Sequence, residues 1–337
     1  MRRQKRSVTI QDVAQAAGVS VSTVSRVLND KDDVASETYD KVQDVIREMG
    51  YTSNLAAKSM RSRRTNVIGM IMPDVEQPFP VEVMKGVNQA ITALDYDLIM
   101  YTNGDIKKNS TVEREQQYVA LLNNSITDGV IVVTPAATTF STASPVVAVD
   151  PHHESADYPA VIATNREGAL AAMEYLISLG HCRIGFINGR PELQSAVRRL
   201  QGYKDALQQA NIPLDPELVQ TGDFTAEVGF VCAQQLLSLP DPPTAIFAAN
   251  DQSAIGTIKA AREAGLQLPD ELSIIGFDNI PEAAYAHPAL TTVDQSVVKM
   301  GYVATEMLIS LIREGSLANN LYKMPTRLII RDSCQAI

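Results

Sequence analysis

From residue 66 onward, short apolar runs alternate with stretches whose apolar residues recur at helical spacing. The runs at 67–72, 97–101, 129–133, 146–149, 183–187, 245–248 and 273–277 read as strands. The helical stretches lie near 80–94, 112–124, 166–179, 196–210, 225–237, 253–264 and 296–314. Parallel strands are joined only by crossovers, usually helical, so this alternation predicts parallel sheets with helices on both faces. This many strands predicts an α/β body of two doubly wound halves. A ligand of such a body binds at the C-terminal strand ends, in the crevice between the halves.

Residues 1–52 follow a different pattern. In Thr9-Ile10-Gln11-Asp12 a capping residue precedes an acid by three positions, which marks a helix start. Ile10, Val13, Ala14 and Ala17 then share one helical face. Gly18 breaks the helix and Ser20 can cap the next one. In that second helix Val24, Val27 and Leu28 share a face, while Val21, Ser22, Ser25, Arg26 and Asn29 lie largely away from it. Two short helices around a tight Gly-containing turn make a helix-turn-helix. A third helix is expected after Ser36, ending near Met49 with Gly50 as its stop; its Val42, Val45, Ile46 and Met49 close an all-α core.

Charge agrees with this division. Residues 1–65 hold 12 Lys and Arg against 8 Asp and Glu, and the remainder holds 17 against 31, so the net charge of −10 hides a basic head on an acidic body. Such a head suits contact with phosphate. Residues 53–65 join the two parts. Asn54 to Met60 is long enough for two helical turns, too few to be stable alone, and Arg61-Ser62-Arg63-Arg64-Thr65 follows as a basic linker.

The stretch Val8-Thr9-Ile10-Gln11-Asp12-Val13-Ala14, with Ala17-Gly18-Val19-Ser20 and Thr23-Val24-Ser25-Arg26-Val27-Leu28-Asn29, closely resembles the DNA-binding head of the lactose repressor/galactose repressor (LacI/GalR) family. The body carries that family's anchors too: Ile68-Gly69, Pro78-Phe79, Asp128-Gly129-Val130-Ile131, Leu179-Gly180-His181, Asn250-Asp251, Gly276-Phe277-Asp278 and Leu290-Thr291-Thr292-Val293. The resemblance implies a repressor with a helix-turn-helix head at 1–52, a hinge at 53–65 and a periplasmic-binding-protein-like core at 66–337. The core is expected to divide into one subdomain of about 66–163 and 293–325 and another of about 164–292 and 326–337.

The resemblance further implies that Val21, Ser22 and Arg26 read bases, and the chemistry agrees. Arg pairs bidentately with guanine, Val covers a thymine methyl, and Ser is permissive. Ser20, Thr23, Ser25 and Asn29 suit backbone phosphates. Asn54, Ala57 and Met60 fall where the family's hinge enters the minor groove, with Met60 in place of the usual wedging leucine. Ser53 replaces a usual Pro and Tyr39 a usual Arg. In the core the implied effector pocket holds Phe79, Asp150, Arg199, Phe224, Asn250 and Asp278. Carboxylate and amide groups accept from or share hydroxyl protons, a guanidinium donates to hydroxyl oxygens in a fork, and a Phe face stacks on a sugar ring, so a sugar effector is implied. Thr134 and Pro80 depart from sugar-responsive relatives, which leaves the sugar's identity open. The implied partners are a near-palindromic double-stranded operator, the small-molecule effector and a second copy of the chain. Ile329 to Ile337 shows no heptad stretch for larger assembly, so a homodimer is expected.

Other classes fit less well. Cys182, Cys232 and Cys334 are odd in number and far apart, against a disulfide framework or a zinc site. His152-His153 lacks metal spacing and reads as a solvated loop; His181 and His287 read as structural. Neither a phosphate-binding Gly loop nor a nucleophile elbow is found, so no enzyme, metal or cofactor is expected. No apolar run reaches membrane-spanning length, and Met1-Arg2-Arg3-Gln4-Lys5-Arg6 does not read as a secretory signal, so a cytoplasmic location is expected. A regulator answering mainly to a phosphocarrier protein or a purine stays open. A plain sugar-binding protein would need export and no DNA-reading head.

Overall fold

A computed structural model describes residues 8–28, 31, 33–51, 64–102, 111–123, 126–153 and 156–337. Contacts divide the chain between Thr65 and Asn66 into two units.

The head contains α1 (Ile10–Ala17), α2 (Val21–Leu28) and α3 (Ser36–Met49). A reciprocal cap opens α1: Asp12 N donates to the Thr9 hydroxyl, and Thr9 N donates back to the Asp12 carboxylate at 2.8 Å. That satisfies two backbone donors the first turn cannot pair by itself. Gly18 ends α1 at φ 66°, a left-handed conformation that costs glycine little. The turn is tight enough that Ser20 Oγ at once accepts from Thr23 N, at 3.1 Å. Val13, Ala14, Ala17, Val24, Val27 and Val42 form the buried centre, and Val45, Ile46 and Met49 pack against it.

The body holds two six-stranded sheets. The first is built from β1 (Val67–Met72), β2 (Asp97–Thr102), β3 (Gly129–Val133), β4 (Val146–Val149), β5 (Ala160–Ala163) and β11 (Leu321–Met324), in the order β11-β5-β4-β3-β1-β2. The second is built from β6 (Ile184–Asn188), β7 (Val219–Thr221), β8 (Ala245–Ala248), β9 (Ser273–Asp278), β10 (Thr291–Asp294) and β12 (Arg327–Ile329), in the order β12-β10-β9-β8-β6-β7. All pairings are parallel except β10 with β12. Helices α4 (Pro78–Leu94), α5 (Thr111–Asn123) and α11 (Val297–Glu314) pack on the first sheet. Helices α6 (Asn165–Ser178), α7 (Gln194–Gln209), α8 (Ala226–Leu237) and α9 (Asp251–Glu263) serve the second, and a short α10 (Pro281–Tyr285) follows β9. No helix among the described residues is long and apolar enough to cross a membrane.

The chain passes between the sheets three times: from β5 to α6, from β10 to α11, and from β11 to β12. The second passage comes slightly later than the expected 293, because β10 keeps its pairing with β9 as far as Asp294. Side chains tie the passages together. Thr164 and Thr326 hydroxyls bond at 3.0 Å, and Arg327 pairs with Asp294 at 3.1 Å.

Strands β1, β3, β4, β6, β8 and β9 match apolar runs because they are buried at every position, whereas β2, matched as well, is partly exposed. The sequence reading passed over β5, β7, β10, β11 and β12. β7, β11 and β12 are short strands at sheet edges, with Leu321, Tyr322 and Lys323 facing water, and β10 is a buried Thr-Thr-Val-Asp whose polar residues break the apolar pattern.

Candidate functional site

On the head, Ser22 and Arg26 are exposed at the surface of α2. Hydroxyls cluster at the start of that helix: Ser20 Oγ lies 2.7 Å from Ser22 Oγ and 2.8 Å from Thr23 Oγ1. These groups keep donors and acceptors that turn easily, which suits phosphate oxygens. Val21 differs from the expectation of an exposed apolar residue. It is half-buried and packs against the head core, because the short turn draws the start of α2 inward. Ser25 is half-buried. Arg26 pairs with Asp33, Nη1 to Oδ2 at 3.0 Å, an acid that sequence reasoning did not single out. Asn29 and the hinge residues Asn54, Ala57 and Met60 lie outside the described residues.

In the body, Phe79, Asp150, Arg199, Phe224, Asn250 and Asp278 all line one cavity of about 840 Å³. Two of them come from helices rather than from the C-terminal ends of strands. Phe79 stands in the first turn of α4, and Arg199 projects from the second turn of α7. Asp150 and Asp278 do end strands, β4 and β9. Thr134, Asp150, Phe224 and Asp278 all have positive φ, at 47°, 50°, 74° and 117°. Backbone held this way in non-glycine residues is strained, and its concentration around one cavity is typical of ligand sites.

The supports of these side chains are visible. Arg199 Nε donates to Asn165 Oδ1 at 2.8 Å, Nη1 donates to the Ala249 carbonyl and faces Asp278 Oδ1 at 3.4 Å, and the guanidinium lies 3.7 Å over the Phe277 ring. Arg199 is therefore held through Nε, Nη1 and its ring face by the protein itself. Asp278 Oδ1 also accepts from Gln295 at 2.6 Å. Asn250 is largely occupied too: its Oδ1 caps α9 through Ser253 N at 3.0 Å, and its Nδ2 donates to the Phe224 carbonyl at 2.9 Å. The Phe224 ring fills the space over Gly189, where a Cβ would come within 1.9 Å of it. Beneath lies Asp251, fully buried, accepting from Thr292 Oγ1 and from Ile280 N.

Burial dominates the electrostatics. Loss of water pushes the Asp278 carboxyl up from 3.8 to about 7, with Asp150 adding to the rise and Arg199 opposing it. Burial likewise raises Asp150, against Arg199 and a bond from Ser195. Among the described residues, Asp74, Glu76, Asp150, Glu192, Asp223 and Asp278 face the cavity against Arg190 and Arg199. This acid-rich wall accepts hydrogen bonds from hydroxyls and repels anions.

The loop after Thr134 is held by Glu115, which is buried in α5 and accepts from Ala136 N at 3.0 Å and Ala137 N at 2.9 Å. The same loop receives His152 N at the Pro135 carbonyl. His152 is thus buried rather than in the solvated loop expected, with Nε2 unpartnered, and burial lowers its pKa to about 4; His153 is exposed. His181 binds Thr244, Ser273 and the Gln335 carbonyl and so ties down the C-terminal segment. His287 is exposed, and its carbonyl accepts from Arg262. No cluster of metal-ligating side chains occurs among the described residues. Sequence reasoning missed Asn165, Ser195, Asp251 and Gln295. Only Asp251 left a signal, as the partner of Asn250 at a helix start.

Known proteins match both parts. Residues 9–54 match the model for bacterial regulatory proteins of the lacI family, and residues 173–334 match a periplasmic binding protein-like domain. The chain is 32% identical over 336 residues to the HTH-type transcriptional repressor PurR of Vibrio vulnificus (strain CMCP6), covering 98% of this chain and 99% of the relative. It is 32% identical over 342 residues to the repressor CytR of Escherichia coli (strain K12), covering 100% and 99%. Among solved structures, the Lac repressor dimer bound to operator and the anti-inducer ONPF superposes with a TM-score of 0.86 at 26% identity, covering 98% of this chain and all of that one. A complex of the transcriptional regulator CelR with cellobiose superposes with a TM-score of 0.72 at 29% identity, covering 97% and 99%.

Proposed function

This chain belongs to the lacI family of bacterial regulatory proteins and is a DNA-binding transcriptional regulator, and we propose that a neutral mono- or disaccharide in the cavity between its sheets controls its operator affinity. The observation that carries the ligand class is the meeting of Asp150, Arg199 and Asp278 with the rings of Phe79 and Phe224 in one cavity. A guanidinium and two carboxylates engage neighbouring hydroxyls at once, while an aromatic face covers the C–H side of the ring. The acid-rich wall counts against phosphorylated or carboxylated ligands. The repressor works as a homodimer on a near-palindromic site, with Val21, Ser22 and Arg26 at base edges. The ligand shifts DNA affinity only as far as it prefers one state of the body over the other.

The test is a thermal-shift screen of residues 62–337 against neutral sugars, sugar phosphates, uronates, purines and nucleosides. Stabilisation by a neutral sugar alone is expected. A purine as the sole effective ligand would move the protein to the reading suggested by its PurR relatives.

Two expectations follow. Arg26→Ala costs about 1–3 kcal/mol at one operator position and relaxes the preference there. Competition binding against single-base operator variants checks this, and an unchanged preference removes Arg26 from the groove.

The second expectation concerns pH. A charged Asp278 accepts from sugar hydroxyls far more strongly than a neutral one, and burial raises this carboxyl to about 7. Effector affinity therefore rises by about tenfold between pH 6 and pH 8. By the same linkage, burial of this carboxyl makes the fold lose stability as pH climbs from its ordinary 3.8 through 7. Calorimetry at several pH values checks the binding; a flat profile contradicts a role for the charged Asp278.

A further inference from the structure

The segment after the recognition helix returns an acid to that helix. We infer that Asp33 is a positioning residue for DNA reading, fixing the Arg26 guanidinium and thereby setting how strictly one base pair is chosen. The inference rests on the reading of Arg26 as a base contact.

The geometry is an ion pair of 3.0 Å between Arg26 Nη1 and Asp33 Oδ2, each side chain 58% exposed. It is the one ion pair that Arg26 makes among the described residues. The pair is not needed to hold the segment in place. Lys31 N already donates to the Arg26 carbonyl at 3.1 Å, and Val34 packs against the head core.

In open solvent such a pair contributes little, because water screens it and two long side chains lose freedom. In a groove the balance changes. Water leaves, and the charges act through a weaker dielectric. A guanidinium offers five N–H donors in a rigid plane, and guanine O6 and N7 take two of them along one edge. With Nη1 turned to Asp33, the rest of the fork faces outward in one orientation instead of several. The carboxylate itself only accepts hydrogen bonds. It repels phosphates on every sequence and acceptor-rich base edges at its own position. Asp33 thus lowers affinity for all DNA while sharpening one choice, the repulsive element that specificity often requires.

The test uses the full chain and a library of palindromic duplexes randomised across the half-site. Asp33→Ala and Asp33→Asn are expected to bind the wild-type-selected site about threefold to tenfold more tightly, with a salt slope steeper by about one. Both lose preference at one base pair of each half-site by about fivefold or more, and Asp33→Glu keeps it. Arg26→Ala erases preference at that same base pair, and adding Asp33→Ala changes nothing further there. A merely structural acid would alter stability and leave base choice alone. If Asp33→Ala keeps the wild-type base choice while Arg26→Ala loses it, the role of Asp33 is wrong and the groove reading stands. If Arg26→Ala also keeps it, the groove reading is wrong and this inference goes with it.

Discussion

Asp278→Ala abolishes the effector's influence on operator affinity and leaves ligand-free operator binding within about threefold, roughly 0.7 kcal/mol. The residue closes β9 at the cavity floor, belongs to the body, and lies in a different unit of the chain from the recognition helix. Its loss removes an acceptor for ligand hydroxyls and leaves base contacts untouched. It also takes one partner from Arg199, whose side chain is only 4% exposed. Removing half of a buried pair costs up to about 3–5 kcal/mol. Asn165 and the Ala249 carbonyl stay bonded to the guanidinium, so the loss falls at the low end of that range. Asp278→Asn separates stability from response. It keeps an acceptor for Gln295, holds the fold, and still lacks the charge. Operator titrations of both variants, with and without the sugar that stabilises the wild type, decide the matter. A variant that responds fully removes Asp278 from the effector site.

Gly86→Ala destabilises the body by about 3 kcal/mol or more. Helices α4 and α11 cross with their backbones in contact. A Cβ on Gly86 would sit 1.8 Å from the Val298 carbonyl oxygen and 2.8 Å from Tyr302 N. Gly301 meets α4 in the same way, its Cβ position lying 2.1 Å from the Val83 carbonyl oxygen. The obstacle is backbone, which cannot rotate aside as a side chain does, so the helices must part. Parting them opens the core formed by Val83, Val87, Met300 and Ala304. Urea denaturation of the body reads the loss directly. An unchanged midpoint would show that the crossing gives way without cost.

Legibility followed burial and local chemistry. Thr9, Gly18, Ser20 and Gly50 mark their helix ends by chemistry that acts over three or four residues, so the three helices of the head were readable. Strands such as β1 and β8 were readable because both faces are buried and the run is continuous. The edge strand β11 was not, since Leu321 to Lys323 all face water and leave no alternation to read. At the cavity, the identities of the six lining residues came from the family resemblance, and their engagements did not come from the sequence at all. That the Asn250 amide reaches the Phe224 carbonyl, and that Arg199 lies on Phe277, depend on segments far apart in the chain. His152 misled for the same reason. A polar dipeptide looks solvated until a remote carboxylate, Glu115, folds the loop that covers it.

The central claim is that one small molecule in the body and one operator at the head are coupled through this chain. Coupling is reciprocal, so the direct measurement is a paired titration of the full protein. Operator affinity is measured without and with saturating sugar, and sugar affinity without and with saturating operator. The account predicts a change of about tenfold or more in each, equal in size and sign. A sugar that binds in the cavity while both affinities stay unchanged would contradict it.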